Sequence, residues 1–196
     1  VALTKFEVAS AALVMIGANP VGSFSASSTE ALACAHLYQP CVDHWLSLYP
    51  WRFASRTEQL GRAPTPPLST WQASYVEPAN CISVQALRTG ASGVDIPFDR
   101  FENTIQCNAG TSENVFCVFT REPPIAFWPG YFTALIEVAL AAKLAFPLSA
   151  KLDLQDGLTK QIDAYFRLAK NADSRQQTSR KFRVGGRRSI LEARRA

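Results

Sequence analysis

Residues 48–53 read Leu-Tyr-Pro-Trp-Arg-Phe, "LYPWRF": three aromatics, a proline and an arginine at the end of a long apolar run. Aromatic side chains bring large contact area at low entropy cost, so such a stretch belongs in a core or an interface. Upstream, Leu32, Leu37, Tyr38, Val42, Trp45, Leu46, Leu48 and Tyr49 form one helical run. Pro40 lies inside it and is expected to break or kink it, because proline lacks the amide donor. Pro50 ends the run. Trp51 and Phe53 are then expected to fold back and pin the chain between a helical bundle and whatever follows. Tyr49, Trp51, Arg52 and Phe53 thus form a fold or interface cluster, with packing favoured over direct docking. Arg52 and Arg56 are candidates for salt bridges.

Working outward, Thr4 and Glu7 form a T-x-x-E capping box ahead of Phe6, Ala9, Leu13 and Ile16 at helical spacing. Gly17-Ala-Asn-Pro20 stops that helix. Ser27 and Glu30 read as a second capping box. Downstream, Pro64, Pro66, Pro67 and Pro78 mark an extended connection containing Trp71. After Ala79 the period changes to two, through Ile82, Val84 and Ala86, then Ile105 and Cys107, then Val115 to Thr120. Turns at Gly90, Gly93 and Asn108 to Gly110 make this a small antiparallel unit of three or four strands.

Trp128-Pro129 opens an apolar helix from Tyr131 to Phe146 that Pro147 should end. The run contains Glu137 and Lys143 and falls short of the ~20 residues needed to cross a bilayer, so it reads as a buried helix. A last helix, roughly 150–171, carries the stripe Leu158, Ile162, Tyr165, Ala169 and Ala172. The fold class is α+β: a helical bundle from N- and C-terminal helices, a small antiparallel β insertion and a basic C-terminal extension. The segments are 1–62 (N-terminal helices), 63–126 (proline-rich connection and insertion), 127–172 (C-terminal helices) and 173–196 (basic tail).

The chain of 196 residues is 47% apolar and only 18% charged, which makes it globular and lightly charged rather than disordered. Its net charge of +4 is unevenly spread. From Asn171 onward eight Lys/Arg face two acids, which puts +6 in the tail and −2 in everything before it. Five cysteines at positions 34, 41, 81, 107 and 117 show no framework spacing, and no secretory signal precedes them, so they read as reduced cytosolic thiols.

Cys34, His36, Cys41 and His44 are ligand types that zinc takes. On a helix, Cys34, Cys41 and His44 are expected to share a face that His36 does not, and Cys34 and Cys41 lie about 10 Å apart at ~1.5 Å per residue. Ordinary packing is therefore favoured over metal. Asp43-His44 with Ser47 resembles a triad in composition only, since adjacent helical residues diverge by about 100°. G-x-S-x-G and the phosphate loop are absent. Asp95, Asp99, Glu102, Asp153, Asp156 and Asp163 fit solvated turns and helix faces. No catalytic, metal or cofactor site is expected.

The tail, "SRKFRVGGRRSILEARRA", carries Arg180, Lys181, Arg183, Arg187, Arg188, Arg194 and Arg195. Gly185-Gly186 interrupts any helix, and Ser189 and Glu192 cap a short segment holding Ile190 and Leu191. A piece that short is marginal alone in water and needs a partner to order it. It suits either an acidic protein surface or nucleic-acid phosphates. Base readout is not expected, because Phe182 is its lone aromatic.

"ALTKFEVASAALVMIGANPVGSFS" at 2–25, "LYPWRFAS" at 48–55 and "NADSRQQT" at 171–178 resemble, in this order, the tail tubular protein A family of short-tailed phages. Arg175, where a glutamine-like residue is expected, and the Cys/His cluster are departures. The resemblance implies a virion structural protein made in the host cytoplasm: a head-to-tail adaptor without catalysis or cofactor. Such a subunit assembles with itself into a dodecameric ring between portal protein and tail nozzle protein and continues the DNA exit channel. It would touch genomic DNA only transiently and no membrane. The basic tail residues, with Ile190 and Leu191, would dock on the portal. The alternatives are a DNA-binding accessory protein whose tail grips phosphates, or a capsid-decorating or tail-fibre connector component.

Overall fold

Thr4 opens the first helix with a complete capping box: its Oγ1 accepts the Glu7 N–H at 3.3 Å, and Glu7 Oε2 accepts the Thr4 N–H at 2.7 Å. The computed structural model describes residues 3–67, 70–90 and 93–176. Along them run α1 (Lys5–Met15), α2 (Thr29–Ser47), β1 (Ser55–Gln59), β2 (Ala73–Val76), β3 (Ser83–Thr89), β4 (Asp95–Ile96) and β5 (Phe98–Phe101). They continue with β6 (Thr104–Cys107), β7 (Val115–Thr120), α3 (Gly130–Ser149) and α4 (Leu152–Ser174). The fold is α+β, a helical bundle with two small antiparallel sheets inserted between α2 and α3.

Gly17 ends α1 in the left-handed conformation, φ 76°, where the Ala18 and Gly17 amides donate back to the Leu13 and Val14 carbonyls at 3.0 and 3.1 Å. Ser10, inside α1, then pins the loop that follows, accepting the Val21 N–H and donating to the Val21 carbonyl. The second helix is capped one residue later than its sequence suggests. Ser28 Oγ, not Ser27, accepts the Ala31 N–H, so Glu30 falls outside a capping box and instead accepts from Asn19 Nδ2 at 3.4 Å.

Pro40, expected to break or kink its helix, and Pro147, expected to end one, both lie inside continuous helices, α2 and α3 respectively. Each deprives one carbonyl, four residues back, of its donor. Those carbonyls belong to His36 and Lys143, residues that are exposed along with the prolines themselves, so each proline sits on the solvent side of its helix. The helix that Pro147 fails to stop closes instead at Ala150, which adopts φ 53°. At 20 residues α3 is also longer than its apolar run and is long and apolar enough to span a bilayer. Its apolarity has a local cause: α1, α2 and α4 all pack on it, burying Phe132, Leu135, Ile136, Leu140 and Leu144 completely.

Along α4 the buried stripe is Leu158, Ala169 and Asp173, with Ile162 and Phe166 partly buried beside it; Tyr165 and Ala172 turn to its flank. The β unit has its own core, formed by Tyr75, Leu87, Ile105, Cys107, Val115, Cys117 and Phe119. It contains more strands than the three or four expected, in orders β1-β7-β3-β4 and β2-β6-β5. Its first strand begins at Ser55, inside the stretch read as helical, and β2 lies within the proline-rich connection. Strand β1 enters and β7 leaves the unit side by side, from Ser55 against Thr120 to Gln59 against Phe116. That pairing forms a neck to the bundle, reinforced where Arg121 N–H donates to the Ala54 carbonyl at 3.0 Å.

The cap assignment has a direct test. Ser28→Ala should lower stability by about 1 kcal/mol in urea denaturation, the usual cost of a lost N-cap, whereas Ser27→Ala should stay within ~0.5 kcal/mol. Equal effects would place the cap elsewhere.

Candidate functional site

LYPWRF folds as a tight turn because Pro50 prevents continuation of α2. Trp51 N–H donates to the Tyr49 carbonyl at 2.8 Å, and the amides of Ala54 and Ser55 donate to the carbonyls of Trp51 and Arg52, each at 3.2 Å. The turn drives the Trp51 indole fully into the bundle. There Nε1–H donates to the Trp45 carbonyl at 2.8 Å, serving one of the acceptors that a helix end leaves open. Tyr49, Phe53, Phe132 and Phe166 surround the indole at centroid distances of 4.9, 6.0, 5.2 and 6.1 Å, and Tyr131 stacks on it at 6.3 Å. Rings from the end of α2, the start of α3 and the second half of α4 therefore converge on one side chain. Tyr49 and Phe53 are half-buried at its margin.

Asp173, which sequence reasoning treated only as a charge, completes the cluster. Its carboxylate is wholly buried in the last turn of α4. That is a doubly unfavourable place, since burial penalises the charge and the helix dipole is negative at this end. Two donors compensate. The Arg52 N–H reaches Oδ1 and Oδ2 at 3.2 and 3.1 Å, and the Tyr131 O–H donates to Oδ1 at 2.8 Å. Burial, together with this hydrogen bond and the neighbouring carboxylate, raises the Tyr131 phenol above its ordinary pKa. Arg52 thus contributes its main chain to the site, and its side chain is exposed. Arg56 pairs loosely with Glu58 at 3.7 Å on the exposed strand β1. The signal that could have revealed Asp173 is its position: it follows the Ile162–Phe166–Ala169 stripe on the inward face of α4.

Neither suggested chemical constellation assembles. Cys34 and Cys41 are buried in the bundle, while His36 and His44 are both exposed, so His44 does not share the cysteine face as expected. Ten residues on a ~100°-per-residue helix leave it about 80° from Cys34. Among the described residues no three His, Cys, Asp or Glu side chains converge. Burial holds both thiols well above their ordinary value of 9.0, at about 11. Ser47 Oγ donates to the His44 carbonyl at 2.7 Å, and Asp43 accepts from Gln39. Asp95 pairs with Arg88 at 2.6 Å, and Asp99 accepts from Trp71 Nε1 at 2.9 Å, so these carboxylates organise the β unit. Arg180, Lys181, Arg183, Arg187, Arg188, Ile190, Leu191, Arg194 and Arg195 lie outside the described residues. No protein-family model matches the chain, and no curated protein matches it.

Removing the carboxylate should separate its role from that of a surface charge. Asp173→Ala leaves the Arg52 N–H and Tyr131 O–H buried without an acceptor and should cost about 2–4 kcal/mol, whereas Tyr131→Phe, which removes one donor, should cost about 1 kcal/mol. Trp51→Ala should cost about 3–5 kcal/mol, the range for a large buried aromatic. Urea denaturation reads all three; a Trp51→Ala variant with unchanged midpoint but failed self-assembly would make the indole a docking residue.

The thiols give a pH prediction with a definite sign. Cys34 and Cys41 are raised to about 11 and Cys117 to about 12, against an ordinary 9.0. The unfolded chain ionises first, so their stabilising contribution is intact below pH 9 and is lost as pH rises towards 11–12. Denaturation midpoints measured across that window should fall. At neutral pH a thiol reagent should modify half-buried Cys81 well before the four buried cysteines.

Proposed function

We propose that this chain is a structural head-to-tail adaptor of a short-tailed phage, a ring-forming subunit seated between portal protein and tail nozzle protein that continues the DNA exit channel. The observation that carries the reading is the ordered co-occurrence of "ALTKFEVASAALVMIGANPVGSFS", "LYPWRFAS" and "NADSRQQT" in one chain. Their arrangement supports it. The second and third stretches, far apart in sequence, meet where the Arg52 N–H reaches the Asp173 carboxylate.

The role asked of such a subunit is mechanical: to hold its shape while presenting surfaces to neighbours. Rigid aromatic packing at Trp51 suits the first requirement. Exposed apolar side chains on several elements, among them Val14, Leu32, Phe127 and Phe146, suit the second. In this reading the basic tail docks on portal from about Arg180 onward, and the segment from Ser189 to Ala196 orders as it binds.

Deleting Lys181 to Ala196 should leave a folded body that no longer joins portal rings. Electron microscopy of material recovered from infected cells under a high-salt wash would show stacked rings with the full chain and none with the deletion. The +6 charge of the tail favours one competing reading, a DNA-binding accessory protein. It predicts recovery of nucleic acid that falls steeply with salt, without rings.

A further inference from the structure

Helix α4 has more apolar surface than the bundle covers. At about 100° per residue, Leu158, Ile162, Phe166, Ala169 and Asp173 occupy one arc and face inward. Beside it, Leu154, Gln161, Ala164, Tyr165, Leu168 and Ala172 fill a second arc about 100° wide that contains no charge between Leu154 and Ala172. Asp153, Asp156, Lys160, Asp163, Arg167 and Lys170 all fall on the remaining side. The second arc is open: Leu168 is 65% exposed and Tyr165 36%. With Tyr131 and Ala134 of α3, Tyr165, Leu168, Ala172 and Arg175 line a groove of about 400 Å³.

What covers it is indicated by three observations. Arg175 lines the groove, and the described chain ends one residue later at Gln176 with 20 residues still to follow. Six residues on stands Phe182, a reach of about 20 Å for extended chain, whereas Tyr165 to Arg175 spans only about 15 Å of helix. Second, Lys181-Phe182-Arg183-Val184 alternates basic and apolar, so an extended backbone puts Phe182 and Val184 on one face. Third, Glu137, one turn along α3 from Ala134, is half-buried, and the ion pairs among the described residues do not include it. Burial raises its carboxyl pKa, as expected of an acid lacking a nearby cation. The tail carries net positive charge that such a carboxylate would attract, while the body of a second copy carries −2.

We infer that the groove between α3 and α4 is the seat of the chain's own segment 181–184, Phe182 and Val184 filling it and the flanking basic side chains meeting Glu137. Gly185-Gly186 then breaks the segment, leaving residues 189–196 clear of the bundle to meet a partner. The inference concerns the chain free of partners and does not rest on the adaptor reading, in which residues 181–184 would leave the groove as the tail docks on portal.

Methyl NMR of the whole chain tests it. The Leu168, Ala134 and Ala172 methyl signals should move when the chain is ended at Gln176, and equally in the full-length Phe182→Ser/Val184→Ser variant, at every protein concentration. Trypsin should cut after Arg183 about tenfold faster in Leu168→Asp than in the unaltered chain, the population change expected from losing one buried aromatic contact. Methyl signals indifferent to both tail changes would overturn the inference. So would a difference that fades on dilution, which would give the groove to a second copy.

Discussion

The buried carboxylate of Asp173 and the indole of Trp51 join the end of α2, the start of α3, the end of α4 and the first residues of the β unit. Each is fixed by polar partners from another segment. The carboxylate lies out of water at the negative end of a helix, and it is stable there because the Arg52 N–H and Tyr131 O–H converge on it. The indole is held in register by donating to the Trp45 carbonyl. Since the turn carrying both contacts leads directly into Ser55, the position of the whole insertion relative to the bundle depends on this cluster.

The rest of the bundle follows from a single central helix. Because α1, α2 and α4 all pack on α3, it is apolar nearly all round, and its composition approaches that of a membrane span without requiring a membrane to explain it. Its proline, like that of α2, faces water, where an unserved carbonyl costs little. The β unit needs no such support. Its own apolar cluster spans both sheets, and ion pairs such as Arg100–Glu77, at 2.7 Å, brace its exposed side.

Among the described residues the reactive side chains do not converge. Four thiols are buried and raised by desolvation, and the histidines point outward from α2 without forming a cluster. The unspent features are the neutral flank of α4 and the basic tail that begins beside it. Apolar area left open next to a chain segment of opposite character to the body is the arrangement from which docking surfaces are built.

The α+β class, the four helices, the cap at Thr4 and the inward turn at Trp51 were all legible from the sequence. Each rests on local physics: side-chain period, a capping pattern, or a proline that forbids continuation. Strand β1 was not legible, because "SRTEQ" is an exposed edge strand with no apolar alternation and exists only through its pairing with β7. The persistence of helix through Pro40 and Pro147 depended on which way each proline faced. For Asp173 the sequence held only its place on the inward stripe of α4, not its partners, and a carboxylate is acceptable in a core only where donors from distant segments meet it. The sequence by itself determined the four helices, the turn after Pro50 and that Trp51 would seek burial. Tertiary structure alone decided which polar groups would be paired inside, because that pairing depends on partners more than a hundred residues away, as between Arg52 and Asp173, separated by 121 positions.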